Sequence, residues 1–305
     1  MDEGTTGGSQ VIDVGWRVLV VAVVYAVLFL ALGLVSGSRP SVQTVVVGLV
    51  TGAGFALVLM PLARRLPYRM RTRVLALFVP LYWIYSLSNL VEAYFITSVS
   101  HTSLVIFAVF LIIPAVLVSW LVAWLLPGYE PAGHAPRIWE LLGQRPFLSW
   151  AWRVLLAGLL FAVLIELFGV AWGPLISRYY HDPAYIAQAH IANPPAPAYV
   201  TWGEEYVRGV VFVLALLPVL AVMRGRGWPA ILGVAGYVAL IDAALEAWLP
   251  MLGSTFPLGF RLGEGLDLTS DAVARGIIVA ALVALPALES QRPARPLPGR
   301  ERRVL

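Results

Sequence analysis

The chain has 305 residues, 60% of them hydrophobic and only 12% charged, with a mean hydropathy of +0.82. A soluble domain carries about 25% charged and about 45–50% apolar residues. The composition therefore excludes an ordinary soluble domain, a disordered chain and a protein that binds nucleic acid by bulk charge. It predicts an all-α, polytopic transmembrane helix bundle. All 21 basic residues are Arg, and there is no Cys, which excludes disulfides, thiolate metal sites and cysteine nucleophiles.

Crossing about 30 Å of hydrocarbon takes about 20 apolar residues in a helix. Eight segments meet that length: 16–36, 42–62, 74–97, 102–126, 152–176, 204–223, 228–251 and 272–289. Trp16, Trp152, Trp202 and Trp228 stand at span starts, and Trp124, Trp172 and Trp248 near span ends. Those are the interfacial positions that Trp favours. The leader is acidic (Asp2, Glu3, Asp13), and its apolar run exceeds the roughly 7–15 residues of a signal-peptide core, so it reads as a first span.

With the N-terminus inside, sixteen Arg residues fall on the inner side. They are Arg17; Arg64, Arg65, Arg69, Arg71 and Arg73; Arg137, Arg145 and Arg153; Arg224 and Arg226; and five in the tail from Arg292 to Arg303. Arg39, Arg178 and Arg261 fall outside. The positive-inside rule then places both termini in the cytoplasm of a cell-membrane protein.

The chain also repeats. WRVLVVAVVYAVLFLALG at 16–33 matches WRVLLAGLLFAVLIELFG at 152–169 at eight of 18 positions. LVEAYF at 90–95 pairs with ALEAWL at 244–249. Four spans per unit preserve direction, so the units are expected to be parallel repeats about an axis along the membrane normal. The expected boundaries are a first repeat at 1–127, a cytoplasmic linker at 128–150, a second repeat at 151–290 and an Arg/Pro-rich tail at 291–305. Within the linker, RIWELLGQ at 137–144 suits a short interfacial helix.

Charged groups within spans are the functional candidates, because each acidic one costs about 2.5–3.5 kcal/mol at a helix centre. Glu92, Glu166, Arg208, Asp242 and Glu246 form the expected ligand-binding set. At about 1.5 Å per residue, Asp242 and Glu166 lie about 20 Å from the inner boundary, and the whole set falls in the outer half of the bilayer. Glu204 and Arg208 are i, i+4, Glu205 and Arg208 i, i+3, and both Asp242–Glu246 and Asp271–Arg275 i, i+4, all spacings that share a helix face. Glu166 stands where the first repeat has Leu30, and Asp242 where it has Ser88. Glu204, Glu205 and Asp271 also suit helix starts, where the dipole favours acidic groups. The segment 252–267 reads as a Gly-rich outer connection, and YIAQAHIA in the outer loop 177–203 as an interfacial or covering segment. No His spacing matches a metal motif, so neither a metal nor a cofactor is expected. The expected partners are membrane lipid and a small ligand or ion, not nucleic acid.

GEEYVRGVVF at 203–212 resembles the EExxxRG motif of the CPBP family, the CAAX proteases and bacteriocin-processing enzymes. That resemblance implies a polytopic intramembrane peptidase in which Glu204 or Glu205 is catalytic and activates water. The spacing here is one residue shorter, and the family's downstream His positions have no counterpart after His190. Three functions therefore stand open: transport or small-ligand binding at the carboxylate and Arg cluster, a peptidase of this type, and a non-catalytic membrane scaffold.

Overall fold

The computed structural model describes residues 6–35, 39, 41–66, 69–126, 143, 145–189, 197–220, 228–252 and 256–283. The RIWELLGQ segment (except Gly143), the tail at 291–305, His134 and His190 lie outside them. Among the described residues there are nine helices and no strand. In chain order they are α1 (Thr6–Val35), α2 (Val42–Arg65), α3 (Met70–Ile96), α4 (His101–Leu125), α5 (Phe147–Tyr180), α6 (Pro183–Ala189), α7 (Ala198–Leu220), α8 (228–252) and α9 (Leu258–Val283).

Helices α1 to α5 are each long and apolar enough to cross a membrane, which makes the chain a membrane-embedded helical bundle. Its outward faces carry large apolar side chains such as Val105, Phe107, Val109, Ile113 and Trp120 along α4. A stripe of that size suits lipid rather than water. Helices α7 and α9 have 23 and 26 residues, enough length to span at about 1.5 Å per residue. They carry most of the buried charges: Glu204, Glu205 and Arg208 on α7, and Asp271 and Arg275 on α9.

Small residues bring the helix backbones together. Gly48 and Gly52 of α2 face Ala26 and Ala22 of α1, and a Cβ on Gly52 would stand 2.8 Å from the Ala22 Cα. Two small residues four apart on each helix allow this close approach, where dispersion contacts hold helices that lipid solvates equally well apart. Ser41 and Ser100 cap α2 and α4, each side chain accepting a hydrogen bond from the backbone N–H three residues on, at 3.0 and 3.1 Å. Each cap satisfies an N–H that the helix leaves free.

Arginines close the other ends. Arg17 of α1 donates to the Leu125 carbonyl at the end of α4, at 2.6 Å. Arg153, its counterpart in the repeated WRVL, donates to the Leu282 carbonyl at the end of α9, also at 2.6 Å. Each also lies over its neighbouring indole, Arg17 over Trp16 and Arg153 over Trp152. Arg73 adds a bond to the Leu126 carbonyl and Arg145 one to the Val283 carbonyl. The starts of α1, α3 and α5 thus share one end of the bundle with the last turns of α4 and α9. A cation is favourable there because the final carbonyls lack intrahelical partners and carry the negative end of the dipole.

Two long helices are interrupted by wider turns. Trp83–Leu87 of α3 and Leu240–Trp248 of α8 are π-helical. Such segments are rare and occur often at functional sites. The first ends just before LVEAYF, the second contains most of ALEAWL, and the two pack on each other.

Helix α9 corrects one expectation. It starts at Leu258, well before the expected 272, so most of the Gly-rich segment 252–267 is helix rather than loop. Packing overrides the low helix propensity of Gly here. Gly263 lies against Ile176 and Gly265 against the Trp248 ring, and Trp248 Nε1 donates to Thr269 Oγ1 at 2.8 Å. Trp172 Nε1 likewise donates to Ser270 Oγ at 3.2 Å. These two indoles are therefore held by α9.

Replacing either capping arginine, Arg17→Gln or Arg153→Gln, should cost about 1 kcal/mol and lower the thermal unfolding midpoint in detergent. Arg71→Gln, at an exposed position, should leave the midpoint unchanged.

Candidate functional site

The buried charges gather around two arginines. Arg208 is three turns into α7 and 5% exposed. Its Nη1 meets Glu205 Oε1 at 2.5 Å, its Nη2 meets Glu92 Oε2 at 2.9 Å, and its Nε lies 3.3 Å from Glu204 Oε1. Its Nε also donates to Ser88 Oγ at 3.2 Å. Glu204 and Glu205 follow from the i, i+4 and i, i+3 spacing on α7, while Glu92 and Ser88 arrive from α3 directly after its π segment. The planar guanidinium presents its donors in several directions, which lets one residue hold all of these groups.

The second centre is Arg275 on α9. It pairs with Asp271 one turn earlier on the same helix and reaches Asp242 in the π segment of α8 at 3.6 Å. Its guanidinium lies 5.6 Å from the centre of the Phe161 ring. Ser88, Glu205, Arg208 and Arg275 join Phe161, Gly209 and Phe212 around a cavity of about 10 Å³, space for about one water. Gly209 permits this closeness: a Cβ there would stand 2.9 Å from the Gly158 Cα.

Four helices, α3, α7, α8 and α9, thus supply two guanidiniums and five carboxylates. Several polar atoms have no hydrogen bond among the described residues: both Glu204 oxygens, Asp271 Oδ1 and Arg275 Nε. Glu92 is the open member, its side chain 37% exposed against 1% for Glu204 and 7% for Glu205. It stands one turn before the end of α3 opposite the capping arginines, so the cluster is nearest to solvent on that side.

The expected set is brought together in part. Glu92, Arg208 and Asp242 belong to the cluster, as do Glu204 and Glu205. Glu166 does not: it is exposed on α5 and forms no ion pair with any described residue. Depth alone misplaced it, since equal height says nothing about which side of the helix faces the bundle. The Glu246 side chain lies outside the described residues. Glu204, Glu205 and Asp271 are not dipole-stabilised helix starts. All three are buried, because α7 and α9 begin earlier than expected. Arg275 was missed as the second cation, although its i, i+4 spacing from Asp271 pointed to a pair.

Beyond the cluster, α6 folds back on the ends of α5 and α9. Tyr185 packs with Tyr179, Tyr180, Phe256 and Phe260, which gives the expected covering segment a definite seat. Burial, with the Glu264 carboxylate nearby, pushes the Tyr185 phenol above its ordinary range. Tyr180 Oη donates to Glu264 Oε1 at 2.6 Å. His181 contacts the Ser177 carbonyl and His101 stacks on Tyr94. Among the described residues, no group of three or more His, Asp or Glu side chains is arranged to hold a metal ion. No protein-family model, curated protein or solved structure matches the chain.

Arg208→Met should leave three carboxylates facing apolar surroundings. Removing one partner of a buried ion pair costs about 3–5 kcal/mol, so a large fall in the unfolding midpoint is expected. Glu166→Gln should change stability by less than about 0.5 kcal/mol in the same measurement.

Proposed function

We propose that the chain is an integral membrane protein of about eight spans whose carboxylate–arginine cluster, in the outer half of the bilayer, binds a small cation or protons in the course of transport. The observation that carries this reading is the charge imbalance: Glu92, Glu204, Glu205, Asp242 and Asp271 against Arg208 and Arg275. Uncompensated charge buried in a bundle costs several kcal/mol per ion. Positive charge arriving with a ligand relieves it. Intramembrane ionisable groups that converge from several helices commonly mark ion pathways and proton relays. Glu92 is the entry group, Arg208 the counter-ion that holds the carboxylates in place, and Asp242 the responsive carboxylate.

In the proposed arrangement α1–α4 and α5, α7, α8 and α9 are two parallel four-helix units, with both termini cytoplasmic. The paired capping arginines, Arg17 and Arg153, and the paired π segments support this arrangement. The chain has no Cys, so single cysteines report sidedness without background. An impermeant maleimide applied to intact cells should label a Thr102→Cys variant and leave Arg71→Cys unlabelled.

A second reading, an intramembrane peptidase of the CPBP type, draws on Glu204, whose buried oxygens accept no hydrogen bond from a described residue. One set of variants separates the two. In proteoliposomes, proton, Na⁺ or K⁺ flux through the protein should be lost in Asp242→Asn and Arg208→Gln, without cleavage of membrane peptides. Unchanged flux in both variants refutes transport. Peptide hydrolysis lost in Glu204→Gln or Glu205→Gln establishes the peptidase instead.

A further inference from the structure

Between α2 and α8 lies a second, larger cavity of about 520 Å³, apolar along its length and within the range typical of ligand sites. Its walls include Gly54, Pro61 and Leu62 of α2, and Gly236, Tyr237 and Leu245 of α8. Gly54 closes on Leu245 at one end. From there α2 and α8 run in opposite directions, so Leu62 and Tyr237, each eight residues on, stand at about the same level. Arg64 follows two residues, or about 3 Å, beyond Leu62 and three after Pro61, on the Pro61 face of the helix. It is exposed, and no described carboxylate forms a salt bridge with it.

We propose that this groove is a specific site for one anionic phospholipid. An acyl chain lies between α2 and α8 toward Gly54 and Leu245, a glycerol-ester oxygen accepts a hydrogen bond from Tyr237, and the phosphate pairs with Arg64. Three observations select that occupant. The Tyr237 hydroxyl is buried and has no hydrogen-bond partner among the described residues, so an acceptor is wanted at its level. The groove spans about 20 Å from Leu232 to Leu245. An extended hydrocarbon chain matches that length and the apolar walls. Finally, Arg64 puts an exposed positive charge just past the groove's polar end, and anionic headgroups are attracted to such a charge.

Gly236 supplies the test, because a Cβ there meets nothing within 4 Å and a large side chain enters the groove without displacing the fold. Native mass spectrometry of the protein in mild detergent should show one retained phospholipid. Added phosphatidylglycerol should raise the unfolding midpoint more than phosphatidylcholine does. Gly236→Phe should weaken lipid binding about tenfold or more, and Leu57→Trp on the opposite wall, at a 52% exposed position, should do the same. Arg64→Gln should keep a bound lipid but lose the preference for phosphatidylglycerol, and Tyr237→Phe should weaken binding of both lipids. A wild-type protein that carries no lipid, or both groove-filling variants retaining it as the wild type does, overturns the site. Equal midpoint shifts with the two lipids overturn the anionic headgroup.

Discussion

The arrangement of the second half of the bundle turns on one buried guanidinium. In a membrane, Arg208 cannot be left to water, and each of its three nitrogens is directed at a carboxylate or hydroxyl. Two of these carboxylates come from its own helix, and the third, with the Ser88 hydroxyl, from α3. Holding them fixes the rotation of α7, since a turned helix would point Arg208 into lipid at a cost of several kcal/mol. It also fixes the depth of α3 against α7, because Ser88 and Glu92 lie one turn apart and both must reach the same group. Gly209 beside it and Gly158 on α5 keep the backbones close enough for these contacts. The ion cluster and the small-residue packing are thus two parts of one constraint.

The arginines at the opposite end of the bundle from Glu92 are bound into the structure in a similar way. A positive-inside bias is a statement about insertion, and it could be met by any Arg in a loop. Here Arg17, Arg73, Arg145 and Arg153 are also spent on the terminal carbonyls of α4 and α9. Four carbonyls at each helix end have no partner in the helix itself. These four arginines therefore close the ends of α4 and α9.

Much of this was legible in the residues and some was not, for identifiable reasons. Apolar run length located the helical segments, because about 20 residues is a physical requirement that sequence displays directly. Local spacing located the Glu204–Glu205–Arg208 group. It failed for Glu166, whose depth matched the cluster while its side of α5 faces outward, since rotation about a helix axis is set by neighbours that one segment does not name. It failed again for α9, whose glycines read as a loop. They are contact points for Ile176 and Trp248, and tertiary packing rather than propensity makes that segment helical. The π segments were not foreseen either, because no local pattern distinguishes an i→i+5 turn from an ordinary one.

In the proposed two-unit arrangement, α7 against α3 and α2 against α8 are equivalent contacts: the second helix of one unit meets the third helix of the other. The first is closed by Arg208 reaching Ser88 and Glu92. Among the described residues the second shows no such anchor and stands around an apolar groove. In that proposed arrangement the contact is drawn together where it carries charge and left open where it is apolar. Burial of charge is costly enough to demand a partner across the interface, while an apolar wall is as well solvated by lipid as by protein.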